Sequence, residues 1–312
     1  MHSLAERIQK QDQRALARAI SMVENDDQEK LSLLSDIASL KKQSYYIGIT
    51  GSPGAGKSSL VDRLVTHIRE QDLTVAVIAV DPTSPFSGGA LLGDRVRMHH
   101  HFTDPGVFIR SMATRGSLGG LARSTKDAIR VCDAYGFDYV IVETVGVGQS
   151  ELDIMKVVDT TAVVLTPNSG DVLQIFKAGI MEIADLFIIN KADLDGVGKL
   201  RGQLKDFLHI MDPDGWKAPI VETISTENKG IEKLWEKCRA HETYLTETEE
   251  GKQKRQEQLS FEVYELIREE LWKDVAEFIE ADEAKRQELQ QMEDPYQIAE
   301  QWLSEWKRTY RG

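Results

Sequence analysis

Cysteine is nearly absent: Cys132 and Cys238 are the only two, and no C-x-x-C spacing occurs. Neither a disulfide framework nor a zinc site is therefore expected, and a reducing compartment fits. No stretch approaches the roughly eighteen uninterrupted apolar residues of a membrane span, so none is expected. The N-terminal residues carry Arg7, Arg14 and Arg18 among Glu6 and Asp12 but lack the apolar core of a secretory signal, so they read as mature, cytoplasmic sequence. Positive charge is also short. With 38 Lys and Arg against 51 Asp and Glu the formal charge is -13, which speaks against a nucleic-acid partner, because a phosphate backbone needs a basic field.

What is present is enough apolar residue, 41% of 312, to bury a full core. Three segments differ in pattern. Residues 1–42 place Leu16, Ile20, Val23, Leu33, Leu34, Ile37 and Leu40 at helical spacing, with Asp12 positioned as an N-cap. Residues 43–240 alternate short apolar runs, "YYIGIT", "TVAVIAV", "YVIVET", "TAVVLTP", "DLFIIN" and "APIVETI", with helical stretches such as 58–70 and 175–184. Runs that are apolar at every position belong in a parallel sheet covered on both faces, so an α/β architecture is expected.

Residues 241–312 have no such runs. After the charged "ETEEGKQKRQEQ", the positions Leu259, Val263, Leu266, Ile267, Leu271, Val275, Phe278 and Ile279 form one stripe of a long amphipathic helix. Asp294-Pro295 reads as an N-cap followed by proline at the first helical position, opening a helix with Trp302, Leu303 and Trp306. Such a stripe either covers core or forms an oligomer interface, and the interface is the expectation. No internal repeat occurs.

The chemistry begins after the first strand. "GSPGAGKSS" satisfies G-x-x-x-x-G-K-[ST] between a strand and a helix pattern, the context in which the motif forms a phosphate-binding loop. Gly51, Ser52, Pro53, Gly54, Ala55, Gly56, Lys57, Ser58 and Ser59 would line it with inward-pointing NH groups, Lys57 reaching the β and γ phosphates and Ser58 ligating Mg2+. "DYVIVETVGVGQSE" ends a strand on Glu143, a carboxylate for the metal region, followed by Gly146. Val147 stands where a Ras-like enzyme keeps its water-positioning glutamine.

"FIINKADL" ends a strand in N-K-x-D. The carboxylate of Asp193 can accept from the ring NH and the exocyclic amine of guanine, whereas adenine offers it no such pair. Asn190 would buttress the surrounding loops and the Lys191 stem would pack on the base. The nucleotide expected is GTP, with GDP after hydrolysis. Ser225 and Thr226, in "ISTENKG", fall where a further guanine-contacting loop belongs.

"VDPTSPFSGGALLGDRVRM", "FIRSMATRGSLGGLA", "VETVGVGQSE" and "GDVLQIFKAGIMEIADLFIINKADL" together resemble the methylmalonyl-CoA mutase-associated GTPases, the MeaB or ArgK family of the metallochaperone group of P-loop GTPases. The resemblance runs from "DQRALARAIS" to "EDPYQIAEQW". It implies a G domain with an N-terminal helical extension and a C-terminal helical dimerisation arm. It further implies a homodimeric GTPase that chaperones an adenosylcobalamin-dependent acyl-CoA mutase, gating cofactor loading and protecting or reactivating that enzyme.

By that resemblance Asp81 and Asp94 join Ser58 and Glu143 as the magnesium region, and Gly146 senses the γ phosphate. Lys57, Asp94 and Glu143 become the expected catalytic set. The segment around Gly170, Asp171, Gln174 and Lys177 is similar to a third switch that reports nucleotide state to the mutase.

With Val147 unable to orient water, intrinsic hydrolysis is expected to be slow until a partner orders a substitute. Gln149, Asp94, Arg95, Arg97, Arg110 and Arg115 are candidates for that role, though a single arginine is more often structural. Two other readings stay open, a nickel-insertion GTPase and an ArgK-type transport-associated kinase. "HHH" at 99–101 is expected to be a solvated turn or helix end, because three adjacent residues on regular structure do not face one ion. No D-x-H-x-x-G loop occurs, so cobalamin ligation through histidine is not expected of this chain.

Overall fold

The computed structural model describes residues 2–40, 43–81, 95–113, 120–144, 158–167, 180–211, 215–290 and 294–310. Seven parallel strands form one sheet: β1 (Tyr45–Gly51), β2 (Val75–Asp81), β3 (Val107–Ala113), β4 (Tyr139–Thr144), β5 (Thr160–Leu165), β6 (Leu186–Asn190) and β7 (Ile220–Thr223), in the order β3-β2-β4-β1-β5-β6-β7. The six apolar runs each supply a strand. β3 is the addition: Arg110 and Ser111 interrupt its apolar pattern, and it lies at the sheet edge beside β2. Arg110 is accommodated there because its guanidinium donates to Glu24 at 2.8 Å and to the Ser21 hydroxyl at 3.0 Å.

Alternation along the strands sends side chains to two cores. Ala76, Ile78, Val80, Val140 and Val142 face the N-terminal helices α1 (Ser3–Gln9), α2 (Gln13–Glu24) and α3 (Lys30–Ile37), together with α5 (Gly120–Tyr135). Val75, Val77, Ile47, Ile49 and Ile141 face α4 (Lys57–Arg69) and α7 (Ile231–Glu247). The helix α6 (Val197–Met211) buries Leu200 and Leu204 on Phe187 and Ile189. Complete burial of one such Leu, Ile or Val contributes about 1.5–3 kcal/mol, so the amphipathic spacing of α2 is a direct source of its docking. Asp12 caps α2 as its position suggested, accepting from the Arg14 and Ala15 amides at 2.8 and 3.2 Å.

The chain divides into two compact units, residues 1–252 and 253–312. Because Ile231, Leu234, Trp235, Cys238 and Leu245 are buried in the core above the sheet, α7 stays with the first unit. Division thus falls later than residue 240, where composition changes. The N-terminal helices likewise share the first unit's core. From the expected helix 175–184, the described residues show a 3-10 turn, Ile180–Ile183, that ends before residue 184, and residues 175–179 lie outside them.

The C-terminal residues form α8 (Glu249–Glu280), α9 (Glu283–Gln290) and α10 (Pro295–Tyr310). Asp294 caps α10 through the Tyr296 amide at 2.9 Å. Along α8, Leu259, Val263, Ile267 and Leu271 recur every four residues and are all exposed. No helix among the described residues is long and apolar enough to cross a membrane.

Candidate functional site

β1 sits between β4 and β5, and the loop that follows it leads directly into α4. Two glycines there have no substitute. Gly51 has φ +140° and a Cβ would lie 2.1 Å from the Val164 carbonyl oxygen on β5; Gly56 has φ +86° and a Cβ would lie 2.6 Å from Asn190 Nδ2. The loop is thus pressed against the ends of β5 and β6. Lys57 Nζ donates to the Gly51 and Ser52 carbonyls at 2.8 and 3.0 Å, which holds the ammonium over the loop that would cradle phosphate. Pro53 and Gly54 are exposed, whereas Ser52, Ala55, Lys57 and Ser58 are buried and Gly56 and Ser59 are half-buried.

Beside it, Glu143 on β4 pairs in register with Ile49 of β1 and Ala79 of β2. Its carboxylate Oε1 accepts from Ser58 Oγ at 2.7 Å, and both residues are buried. A hydroxyl and a carboxylate in contact are hard oxygen donors of the kind Mg2+ takes, so these two residues fit that ion. Asp81 ends β2, the strand beside β4, so its backbone lies at the same carboxyl edge of the sheet. Asp94, Gly146 and the third-switch segment Gly170, Asp171, Gln174 and Lys177 lie outside the described residues, as do Val147, Gln149 and Arg115. Arg95 and Arg97 belong to the 3-10 turn Arg95–His101. Arg110, in its ion pair with Glu24, has a structural role.

The end of the site expected to read the base is organised by Asn190, the last residue of β6. Its Nδ2 donates to the Ala55 carbonyl of the phosphate loop at 2.8 Å. Its Oδ1 accepts from Thr223 Oγ1 at 3.0 Å and from Ser225 Oγ at 2.9 Å. Three loops at the carboxyl edge are thereby tied together by one buried amide. Lys191 follows in the left-handed region, φ 57°, and its Nζ reaches the Gly54 carbonyl at 3.0 Å, so its stem spans from this loop to the phosphate loop. Asp193 and Thr226 are exposed, and Ser225 is buried.

Two contributors escaped the sequence reading: Thr223, through its bond to Asn190, and Arg63 of α4, whose Nε donates to the Ser225 carbonyl at 3.2 Å. Neither belongs to a motif, because each is recruited by the order of strands rather than by its neighbours in the chain.

The expected solvated turn holds for His99 and His100, at the end of the 3-10 turn Arg95–His101, and is corrected by the fold at His101 alone. His99 and His100 are exposed, but His101 is buried against α4, with Nε2 3.4 Å from Asp62 Oδ1. Both thiols are inert by burial: Cys238 is pushed up to about 12, and Cys132 is raised as well.

Comparison with known proteins agrees with this geometry. The family model described as "Methylmalonyl Co-A mutase-associated GTPase MeaB" matches residues 16–280. A protein of Pyrococcus abyssi is 49% identical over 97% of this chain and 95% of its own. GTPase ArgK of Escherichia coli is 38% identical over 82% of this chain and 81% of its own length. The mitochondrial methylmalonic aciduria type A homolog of Mus musculus is 34% identical over 81% of this chain and 66% of its own. A crystal structure titled as a LAO/AO transport system kinase superposes with a TM-score of 0.71 at 28% identity, covering 96% of this chain and 95% of the other. With a phosphate loop, a buried Ser58–Glu143 pair and an N-K-x-D strand end converging on one edge of a parallel sheet, the chain belongs to the MeaB family of methylmalonyl-CoA mutase-associated GTPases and is a P-loop GTPase that takes guanine nucleotide.

Proposed function

We propose that this GTPase is a cytoplasmic, homodimeric chaperone of an adenosylcobalamin-dependent acyl-CoA mutase, methylmalonyl-CoA mutase being the first candidate. It would hold GTP with Mg2+, hydrolyse it slowly alone and faster with the mutase, and so gate cofactor loading and protect or reactivate that enzyme. The observation that carries the reading is family membership over residues 16–280 together with the site just described. Ser58 and Glu143, with Asp81 and Asp94, are the residues proposed to hold Mg2+, which when bound neutralises charge on the β and γ phosphates. Lys57 would leave its loop carbonyls for those phosphates, and Gly146 would read the γ position through its NH.

Dimerisation is assigned to residues 241–312, where the exposed Leu259, Val263, Ile267 and Leu271 supply an apolar face of a kind rarely left open to water. Coupling to the mutase is assigned to the segment around Asp171 and Lys177. If GTP changes affinity for the mutase, the mutase must change affinity for GTP by the same factor.

The experiment is phosphate release from GTP with and without the mutase. Stimulation on the order of tenfold or more is expected, given what supplied catalytic groups achieve in other GTPases. The Asp171→Ala, Lys177→Ala double variant should bind GTP normally and lose most of the stimulation. Phosphate transferred to a protein instead of released would favour the kinase reading, and an unstimulated wild type would refute the chaperone one.

A further inference from the structure

The histidines at 99–101 are not part of the nucleotide site described above, and only His99 and His100 of the run are exposed. At Met98 the 3-10 turn is interrupted by φ -99° and ψ 16°, and the rings beyond the kink behave differently from one another. His99 and His100 are 5.9 Å apart at 86°, whereas His100 and His101 come to 4.0 Å with a tilt of 40°. Both of the latter turn toward α4, where Asp62 stands one helical turn after Ser58 on the same face. His100 Nε2 lies 3.3 Å and His101 Nε2 3.4 Å from the same atom, Asp62 Oδ1.

That oxygen is the second observation. Asp62 is 8% exposed, and its Oδ1 is buried and accepts no hydrogen bond, although two imidazole nitrogens lie within ion-pair distance. A buried carboxylate oxygen that accepts no hydrogen bond has given up its hydration with nothing in exchange. A cation between the three atoms would supply that exchange. Both nitrogen-to-oxygen separations suit one: two ligands at about 2.0–2.1 Å from a tetrahedral ion are roughly 3.3–3.4 Å apart. The ligand atoms of Asp62, His100 and His101 all lie within 4.8 Å of one another.

We infer that Asp62, His100 and His101 form a binding site for one divalent transition-metal ion of the zinc class, separate from the nucleotide's Mg2+. Two imidazoles and a single carboxylate are a poor set for Mg2+ or Ca2+, which prefer oxygen, and a familiar set for Zn2+. His101 is itself buried against α4, beside the half-exposed His100. The side chain of His100 is 48% exposed, so the fourth position opens to water. The ion would clamp the turn Arg95–His101, which directly follows Asp94, onto the helix whose first turn bears Lys57 and Ser58. Metal would then bear on the nucleotide site mechanically, without contributing a ligand to it.

The test is Zn2+ uptake by the metal-stripped full-length protein, measured by competition with a chromophoric chelator in GDP and excess Mg2+ so that the nucleotide site is filled. Wild type and His99→Ala should bind one Zn2+ with equal affinity. His100→Ala, altering a half-exposed side chain, and Asp62→Asn should each weaken it at least about tenfold, as loss of one ligand or its charge requires. Cobalt(II) in place of zinc should give the visible d–d absorption of a tetrahedral site in wild type and His99→Ala only. Wild-type protein that takes up no Zn2+ under these conditions, or His100→Ala that binds it as tightly as wild type, would overturn the assignment.

Discussion

Ser58 Oγ donates to Glu143 Oε1 at 2.7 Å, a contact between the start of α4 and the end of β4 made across 85 residues of chain. The hydroxyl expected to meet Mg2+ is already turned toward the carboxylate expected to share it, so the donors are pre-arranged on rigid elements rather than gathered from loops. Replacing Glu143 with Gln keeps the shape and removes the charge. Affinity for GTP in Mg2+ should fall about tenfold, or ~1.4 kcal/mol, while affinity in EDTA stays unchanged. Titration with a fluorescent GTP analogue in both conditions checks this; an equal loss in both would mean that Glu143 supports the fold and not the ion.

Asn190→Ala is expected to be costly in two ways. The variant strands the Ala55 carbonyl, Thr223 Oγ1 and Ser225 Oγ, all bonded to one buried amide in the native chain. Losing several buried hydrogen bonds at about 1 kcal/mol each, with partners left unsatisfied, should cost about 2–4 kcal/mol in denaturant unfolding. GTP affinity should fall as well, because the phosphate and base loops are no longer tied. A loss below about 0.5 kcal/mol would show that water replaces the amide.

Asp193→Asn should exchange guanine for xanthine. Asp193 is exposed on the loop after β6, so the substitution is not expected to disturb the fold. Its amide donates where guanine also donates, whereas xanthine offers an oxygen there. Weakening of GTP on the order of 10²-fold or more, with a gain for xanthosine triphosphate, is the expected result. Competition binding of the two nucleotides decides it, and unchanged GTP affinity would remove Asp193 from the base site.

Acid stability should depend on Asp104. Arg69 Nε donates to Asp104 Oδ2 at 2.8 Å and Nη2 to Oδ1 at 3.0 Å, with the Gly106 amide on Oδ1 at 2.8 Å. First the Arg69 guanidinium, then the Gly106 amide, hold this carboxyl below the ordinary value of 3.8. A folded pKa below the unfolded one means stability that is fully present above 3.8 and lost as the pH falls through the lowered value. Asp104→Asn should therefore cost about 1.5–3 kcal/mol at pH 7 and progressively less at acid pH. Urea unfolding at a series of pH values reads this; a cost independent of pH would assign the loss to packing.

The amino-acid sequence by itself determined whatever depends on residues close together in the chain. The glycine spacing of 51–58, the N-K-x-D at 190–193, the caps at Asp12 and Asp294 and the six apolar runs are local statements of backbone geometry and burial. They were enough for a parallel α/β sheet and for guanine nucleotide, and several long motifs in one order were enough for the family.

Tertiary structure decided what depends on which strand lies beside which. Val107–Ala113 is a strand despite Arg110 because Glu24, far earlier in the chain, neutralises that charge at the sheet edge. Asn190 becomes the junction of three loops only because β1, β6 and β7 end at the same edge. His100 and His101 converge because a kink at Met98 and a carboxylate on α4 bring together residues that regular structure would keep apart. Such contacts leave no periodic trace. Their partners are set by sheet order and helix docking, which arise from burial summed over the whole first unit rather than from any window of sequence.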